Sequence, residues 1–452
     1  MLIMFLAASC ASCGIYTKYD RPSEALSGID SLYRADMLPD TLQTIASLSW
    51  EDLFADSHLQ ALIRQGLEAN TDLQVARLQV EEAQATLRQS KLAYLPSVDL
   101  SPEGTLNSFE GKKPQQTYNI GVSASWEIDL FGKLTNAKRG ARAALLASDA
   151  YRQAVQTQVV ATVADSYYAL LMLDEQIRIT EQTVKSWEEY VHALEALLRA
   201  GSADRATLNQ AKASQFAAES SLESLRQQLA EQENALCAFL GQTSHSVARG
   251  SMEGQQFPDT LSVGLPLDLL SRRPDVRQAE AQLMQAFYAT NAARSAFYPR
   301  ITLSGSAGWT NSGGAAVSNP GAWLLSAIGS LVQPLFNRGE NIANLKIAKA
   351  QQEEAMLAFR QSLLDAGNEV NDALLQWQTA RKRIGLDTKQ VEHLAATLRD
   401  TQLLMQHSAE VNYLQVITAR QSLLSAQLTV AQDRYEEIQG VIQLYHALGG
   451  AS

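Results

Sequence analysis

The chain is written twice. Residues 72–101 reappear 203 positions later, with Asp72, Ala76, Gln79, Ala83, Ala93, Pro96, Leu100 and Ser101 standing opposite Asp275, Ala279, Gln282, Ala286, Ala296, Pro299, Leu303 and Ser304. In each copy a helical period gives way to a strand period at the proline, which cannot continue a helix. A duplicated chain builds one extended body from two similar units, so 452 residues need not mean two or three independent domains.

The strand signal is clearest in residues 118–130. Tyr118, Ile120, Val122, Ala124, Trp126, Ile128 and Leu130 share one face, and Asn119, Gly121, Ser123, Ser125, Glu127 and Asp129 share the other. This alternation is longer than an ordinary strand of about 5–6 residues and suits a tilted membrane-spanning strand of about 9–11. A half-buried strand of a soluble sandwich has the same pattern. Residues 97–108, 300–310 and 323–335 complete a set of four, the last alternating least cleanly and resting mainly on the repeat. Four strands do not close a barrel, and an open edge facing lipid leaves backbone groups unsatisfied. A membrane reading therefore requires several copies of the chain, and alternation alone does not choose between two and three.

Each strand pair is followed by a long tract without proline. In the first, Val159, Val163, Ser166, Leu170, Leu173, Ile177, Thr180, Val184, Trp187, Val191, Leu194 and Leu198 are spaced alternately by four and three, the seam of a left-handed coiled coil. The second repeats it less regularly through Ala373, Trp377, Ala380, Ile384, Val391, Leu394, Leu398 and Met405. A helix over residues 133–200 would run on the order of 100 Å. Gly201 and Ser202 break it, a return helix ends at Gly241, and the stretch around Ala211 matches the stretch around Ala419, now 208 positions apart. A single short helix is expected over residues 50–69 and a second one to about residue 93.

The composition excludes several classes. A net charge of -11 without a basic cluster argues against nucleic acid as a partner. Six scattered histidines and three cysteines supply no metal-ligand spacing, and no phosphate loop, dinucleotide glycine pattern or nucleophile elbow is present. The expectation is a non-enzyme without metal or cofactor. Asp365, Glu369 and Asp372 read as a solvated helix face or as the lining of a water-filled tube. No stretch is long and apolar enough for a membrane-spanning helix.

Residues 1–12 form a short apolar run ending in small residues, the pattern that precedes a lipid-modified cysteine. Cys10 and Cys13 compete for that role, and no Lys or Arg precedes Lys18, so the start of the signal is atypical or lies further upstream. Residues 13–49 read as an extended tether.

The stretches LLSRRPDVRQAEAQL (269–283), AFYPRITLSG (296–305), SWEIDLFGK (125–133) and CGIYTKYDRP (13–22) together resemble the TolC family of outer-membrane efflux proteins, in its NodT-type lipoprotein branch. The resemblance covers essentially the whole chain. It implies a mainly helical fold with a transmembrane β part, three chains forming a 12-stranded barrel continued by a helical tunnel. It also implies an outer-membrane location, palmitate on Cys13, and a periplasmic adaptor and an inner-membrane RND-type transporter as partners. The gate falls at Asn412, Tyr413, Leu414, Thr418 and Thr207. Threonines stand at the last two positions where many members carry aspartate, which implies an apolar and polar barrier less sensitive to divalent cations. The helix turns at Gly201, Ser202, Ala203 and at Ser408, Ala409, Glu410 match the adaptor-facing surfaces.

The domain reading is thus a signal-like segment over 1–12, the tether over 13–49, a first repeat over 50–257 with a helical hairpin at 132–240, and a second over 258–452 with a hairpin at 338–448. The expected function is passive exit of small molecules delivered by a pump. The alternatives are a type I protein-secretion duct and a non-conducting coiled-coil protein of the envelope.

Overall fold

The computed structural model describes residues 14–23, 32, 48–108, 110–111, 115–255, 257, 272–310, 322–407 and 413–450. Cys10, Cys13, Ser408, Ala409, Glu410 and Asn412 lie outside the described residues. Eight α-helices and four strands are described: α1 (Trp50–Leu53), α2 (Ser57–Ala69), α3 (Thr71–Leu92), β1 (Ser97–Asn107), β2 (Gln115–Ile128), α4 (Lys133–Arg199), α5 (Arg205–Phe239), α6 (Pro274–Ser295), β3 (Arg300–Thr310), β4 (Ala322–Val332), α7 (Glu340–His407) and α8 (Tyr413–Ala447). No helix among the described residues is long and apolar enough to cross a membrane.

The expected helix over 50–69 is two helices. Ser49 caps α1 by accepting from Asp52 N, and the Asp56 carboxylate caps α2 by accepting from His58 N, so two N-terminal signals in eight residues outweigh a continuous apolar period. β4 ends at Val332 and not at residue 335, because Pro334 has no N–H to give a ladder.

The chain forms two compact units. One comprises Met1–Ser27, Leu78–Ala150 and Arg277–Gln361. It holds an antiparallel sheet in the order β1-β2-β3-β4, with Ser97 opposite Ser125, Ile128 opposite Ile301 and Arg300 opposite Val332. Cross-strand partners share a face. Val98, Leu100, Leu106, Ile120, Val122, Leu303, Leu325 and Leu331 therefore form one apolar face, every one of them at least 42 % exposed. Asp99, Ser101, Glu103, Asn119, Ser123, Ser125, Thr302, Ser304 and Ser306 form the opposite, polar face. Below the sheet the Trp126 indole donates to Tyr94 O at 2.9 Å, and Phe131 stacks on Tyr298 at 5.1 Å. Residues 15–21 are bound to this unit: Asn136 Nδ2 donates to Ile15 O, Tyr16 Oη to Leu130 O, and Arg21 pairs with Glu280 through two bonds of 2.7 Å.

The other unit comprises Gly28–Arg77, Tyr151–Val276 and Ser362–Ser452. Its core is the heptad seam: none of the twelve seam residues from Val159 to Leu198 is exposed, and Trp187, Leu194, Leu170 and Val163 are at most 1 % exposed. The two halves end their return helices in the same way. Gly241 and Gly449, with φ of +68° and +95°, close α5 and α8 as left-handed caps. The buried Asn70 donates to Phe239 O at 3.0 Å, and 203 positions later the buried Arg273 donates to Ala447 O at 2.9 Å. Arg273 also pairs with Asp275 and Glu369. Burial works against its charge, but these two carboxylates outweigh that and hold the guanidinium firmly protonated.

Candidate functional site

The turn between α4 and α5 is a left-handed C-cap. Gly201 takes φ +75°, Ser202 N donates to Leu197 O at 2.8 Å, and Gly201 N to Leu198 O at 3.1 Å, which satisfies carbonyls that the helix end leaves open. Asp204 then caps α5, accepting from Thr207 N at 2.8 Å and from Thr207 Oγ1 at 2.9 Å. Those donors hold the Asp204 carboxyl below its ordinary range. Thr207 thus serves the cap of its own hairpin.

The start of α8 docks on this turn. Tyr413 Oη donates to Ser202 O at 3.0 Å, and Tyr190 Oη reaches Tyr413 O at 3.5 Å. Beneath them lies an apolar cluster of Trp187, Tyr190, Val191, Leu194, Ala211, Ala218, Val416 and Ile417, with Ala203 and Tyr413 packed against it. The structure therefore brings Tyr413 and the turn Gly201–Ala203 together, whereas Leu414, 53 % exposed, and the exposed Thr418 lie away from that core.

One residue of this region carries no sequence-based expectation. Arg420 is only 8 % exposed; its guanidinium lies 4.9 Å from the Tyr190 ring and 5.5 Å from the Trp187 ring, and Nη1 donates to Ser186 O at 3.1 Å and to Ser186 Oγ. No carboxylate pairs with it in these contacts, and burial draws its pKa down, against the opposing influence of Tyr190 and Glu189. The signal was its place in the duplicated stretch opposite Lys212, a surface residue bridged to Glu195 at 2.8 Å.

Further along α7 and α8 the charges are buried. The Asp433 carboxylate is fully enclosed and pairs with Arg383, which also holds Glu436 at 2.7 Å. Burial, followed by the neighbouring Asp387 carboxyl, pushes the Asp433 pKa up to about 7 in spite of Arg383. Asp165 on α4 accepts from Tyr435 Oη at 2.9 Å and from Gln439 Nε2 at 3.0 Å. It shares with Glu369, Asp372 and His446 the lining of a groove of about 440 Å³. Glu369, read from the sequence as part of a solvated face, is committed to Arg273. Among the described residues no group of three or more His, Cys, Asp or Glu is arranged to hold a metal ion. The arrangement is a pair of helical hairpins packed together at the turn by Tyr413, Arg420 and the apolar cluster, with Asp165, Glu369 and Asp372 lining a groove further along.

Comparison with known proteins gives this architecture its place. The sequence model of the family described as "Outer membrane efflux protein" matches residues 62–242 and 265–450, one match in each half of the duplication. The probable outer membrane lipoprotein SilC of Salmonella typhimurium is 31% identical over 451 residues, covering 99% of this chain and 97% of that protein. The cation efflux system protein CusC of Escherichia coli K12 is 30% identical, covering 100% and 99%. Among solved structures, CusC superimposes with a TM-score of 0.82 over 96% of this chain and 100% of its own, at 28% identity. The open state of the Neisseria gonorrhoeae MtrE outer membrane channel gives 0.82 at 29% identity over 91% and 94%. This chain belongs to the outer membrane efflux protein family and is an outer-membrane efflux channel.

Proposed function

We propose that the chain works as a homotrimer in which three four-stranded sheets close one 12-stranded barrel, with the α4–α5 and α7–α8 hairpins forming a periplasmic tunnel below it. The observation that carries this reading is the sheet itself. One face is a continuous field of exposed Leu, Val, Ile and Trp, the other is polar along β1, β2 and β3, and among the described residues β1 and β4 each have a single neighbouring strand. In a bilayer such a sheet is stable only when closed.

The duct is passive and takes solutes from an inner-membrane RND-type transporter through a periplasmic adaptor that meets the turns at Gly201, Ser202, Ala203 and at Ser408, Ala409, Glu410. It has no enzymatic role. Cys13 carries the lipid, and 13–49 is its tether to two repeats, 50–257 and 258–452. The gate comprises Asn412, Tyr413, Leu414, Thr418 and Thr207. For cargo, small cationic solutes are the class to test first, because the matching CusC proteins are named for cation efflux and the polar sheet face here carries Asp99 and Glu103 without a base in their cross-strand rows. Planar-bilayer recording on the purified protein is the test. Discrete trimer-sized conductance steps, accompanied by a trimer mass in native mass spectrometry, are expected; oligomers without conductance would support a structural coiled-coil protein instead.

A further inference from the structure

The N-terminal segment touches the fold at two separate places. In one unit Ile15 is buried, Asn136 Nδ2 donates to Ile15 O at 2.9 Å, Arg139 Nη1 donates to Tyr16 O at 3.1 Å, and Arg21 pairs with Glu280. In the other unit the half-buried Leu32 lies on α7. Asn371 Nδ2 donates to Leu32 O at 2.9 Å, and a Cβ on Gly367 would lie 3.0 Å from Leu32 Cβ and 3.3 Å from its Cδ2.

Neither α7 residue is placed there for the helix. Glycine gives up the most backbone freedom on entering one, and asparagine competes with it for backbone hydrogen bonds. Gly385, also inside α7, has open space around it, so the close approach belongs to Gly367. The duplication supplies the comparison. At the offset of 207 that sets Leu170 opposite Trp377 and Val191 opposite Leu398, Gly367 stands opposite Val160 and Asn371 opposite Ala164. Both first-half residues are buried, at 2 % and 0 % exposed. The two positions are one turn apart on one helix face. Where the first half carries two apolar side chains, the second has one residue that clears room and one that offers a donor. Room for a close approach and a donor for a carbonyl are together what an arriving stretch of main chain needs.

We infer that Gly367 and Asn371 form a dock on α7 for the chain's own N-terminal segment, with Leu32 as its peg. The segment is fastened once in each unit and restrains α7 over residues 362–375; it is a strap, where the residue order alone reads as a loose tether. The dock needs neither the barrel nor the lipid on Cys13, so its failure and theirs are separate results.

Disulfide trapping in the full-length protein tests the contact. The Cβ atoms at 32 and 367 come within reach of a disulfide, which spans about 3.5–4.5 Å, after a small outward adjustment. Asp365 lies about 200° round the helix from Gly367. Leu32→Cys with Gly367→Cys should therefore link within one chain roughly ten-fold more than Leu32→Cys with Asp365→Cys. Peptide mass mapping locates the bond, so that native thiols do not count. Should Gly367→Cys prevent folding, Leu32→Cys with Asn371→Cys is the second pair. Equal linking through Asp365, or folded protein that links at neither 367 nor 371, overturns the dock. Restraint is read by hydrogen–deuterium exchange on Leu32→Gly. Amides 362–375 should exchange roughly ten-fold faster than in the unsubstituted protein, while the equivalent residues 155–168 of α4 keep their rate. Unchanged exchange in α7, or an equal rise in α4, overturns the strap.

Discussion

Replacing Asp433 by Leu should make the channel more stable at alkaline than at acid pH relative to the unsubstituted protein. The substitution copies the other hairpin, where the position 208 residues earlier is the buried Leu225. Asp433 is fully enclosed, and the one cation it meets, Arg383, is shared with Glu436 while Asp387 faces it from α7. Its pKa rises from 3.8 to about 7. The folded state therefore binds the proton more tightly than the unfolded chain: the site costs nothing below about pH 4, and the cost grows to its full size above about pH 7. Three pK units correspond to about 4 kcal/mol. Arg383 is 43 % exposed, so water screens the site and on the order of 2 kcal/mol is the better figure. Removing Asp433 leaves Arg383 paired with Glu436, so no orphan charge offsets the gain. Thermal unfolding followed by circular dichroism in detergent at about pH 5 and about pH 8 separates this from the pH-independent benefit of burying a leucine. About a third of the cost is already present at pH 5, so the variant's advantage should widen by about 1 kcal/mol at the higher pH. An advantage of the same size at both values would refute the reasoning.

Three further outcomes follow from the site. Arg420→Met removes the bond to Ser186 and the contact with two rings; it should loosen the start of α8 by about 1–3 kcal/mol and raise single-channel conductance, and unchanged conductance with unchanged stability would deny Arg420 a part in closure. Millimolar divalent cations applied to the periplasmic side should leave the unsubstituted channel open, whereas Thr418→Asp should introduce block; strong block of the unsubstituted channel would sink the apolar-barrier reading. Gly132 takes φ +71°, and a Cβ there would lie 3.1 Å from the Tyr16 ring, so Gly132→Ala should cost about 1 kcal/mol or more and expose residues 15–21 to limited proteolysis, whereas Gly339→Ala, with open space around it, should retain only the backbone cost.

The parts legible from residue order are those whose physics is periodic. A coiled helix buries side chains at fixed spacing, so the seam through Val163, Leu170, Trp187 and Leu194 can be read without coordinates; a strand alternates, so Ile120, Val122 and Trp126 declare one face. Turn chemistry is local too, which is why the break at Gly201 could be anticipated, whereas the docking of Tyr413 on that turn, 211 positions away, could not. The charged interior is different. Nothing adjacent to Asp433 in sequence marks it as buried, because Arg383 lies fifty positions away on another helix, and the acidic residues of α7 share the composition of a solvated face. Arg420 matches a surface lysine in the duplicate and escapes notice for that reason.

These exceptions have a common location. The backbone of the two halves is held to one plan, as the caps at Gly241 and Gly449 and the paired donors Trp126 and Gln333 show. At three equivalent positions the second half takes the buried charge: Arg273 for Asn70, Asp433 for Leu225, a buried Arg420 for a partly exposed Lys212. Each of these adds a desolvation cost that the first half shows to be unnecessary for the fold. Buried charges of this kind are sensitive to geometry in a way that leucine is not, since a small separation of partners leaves an ion unpaired.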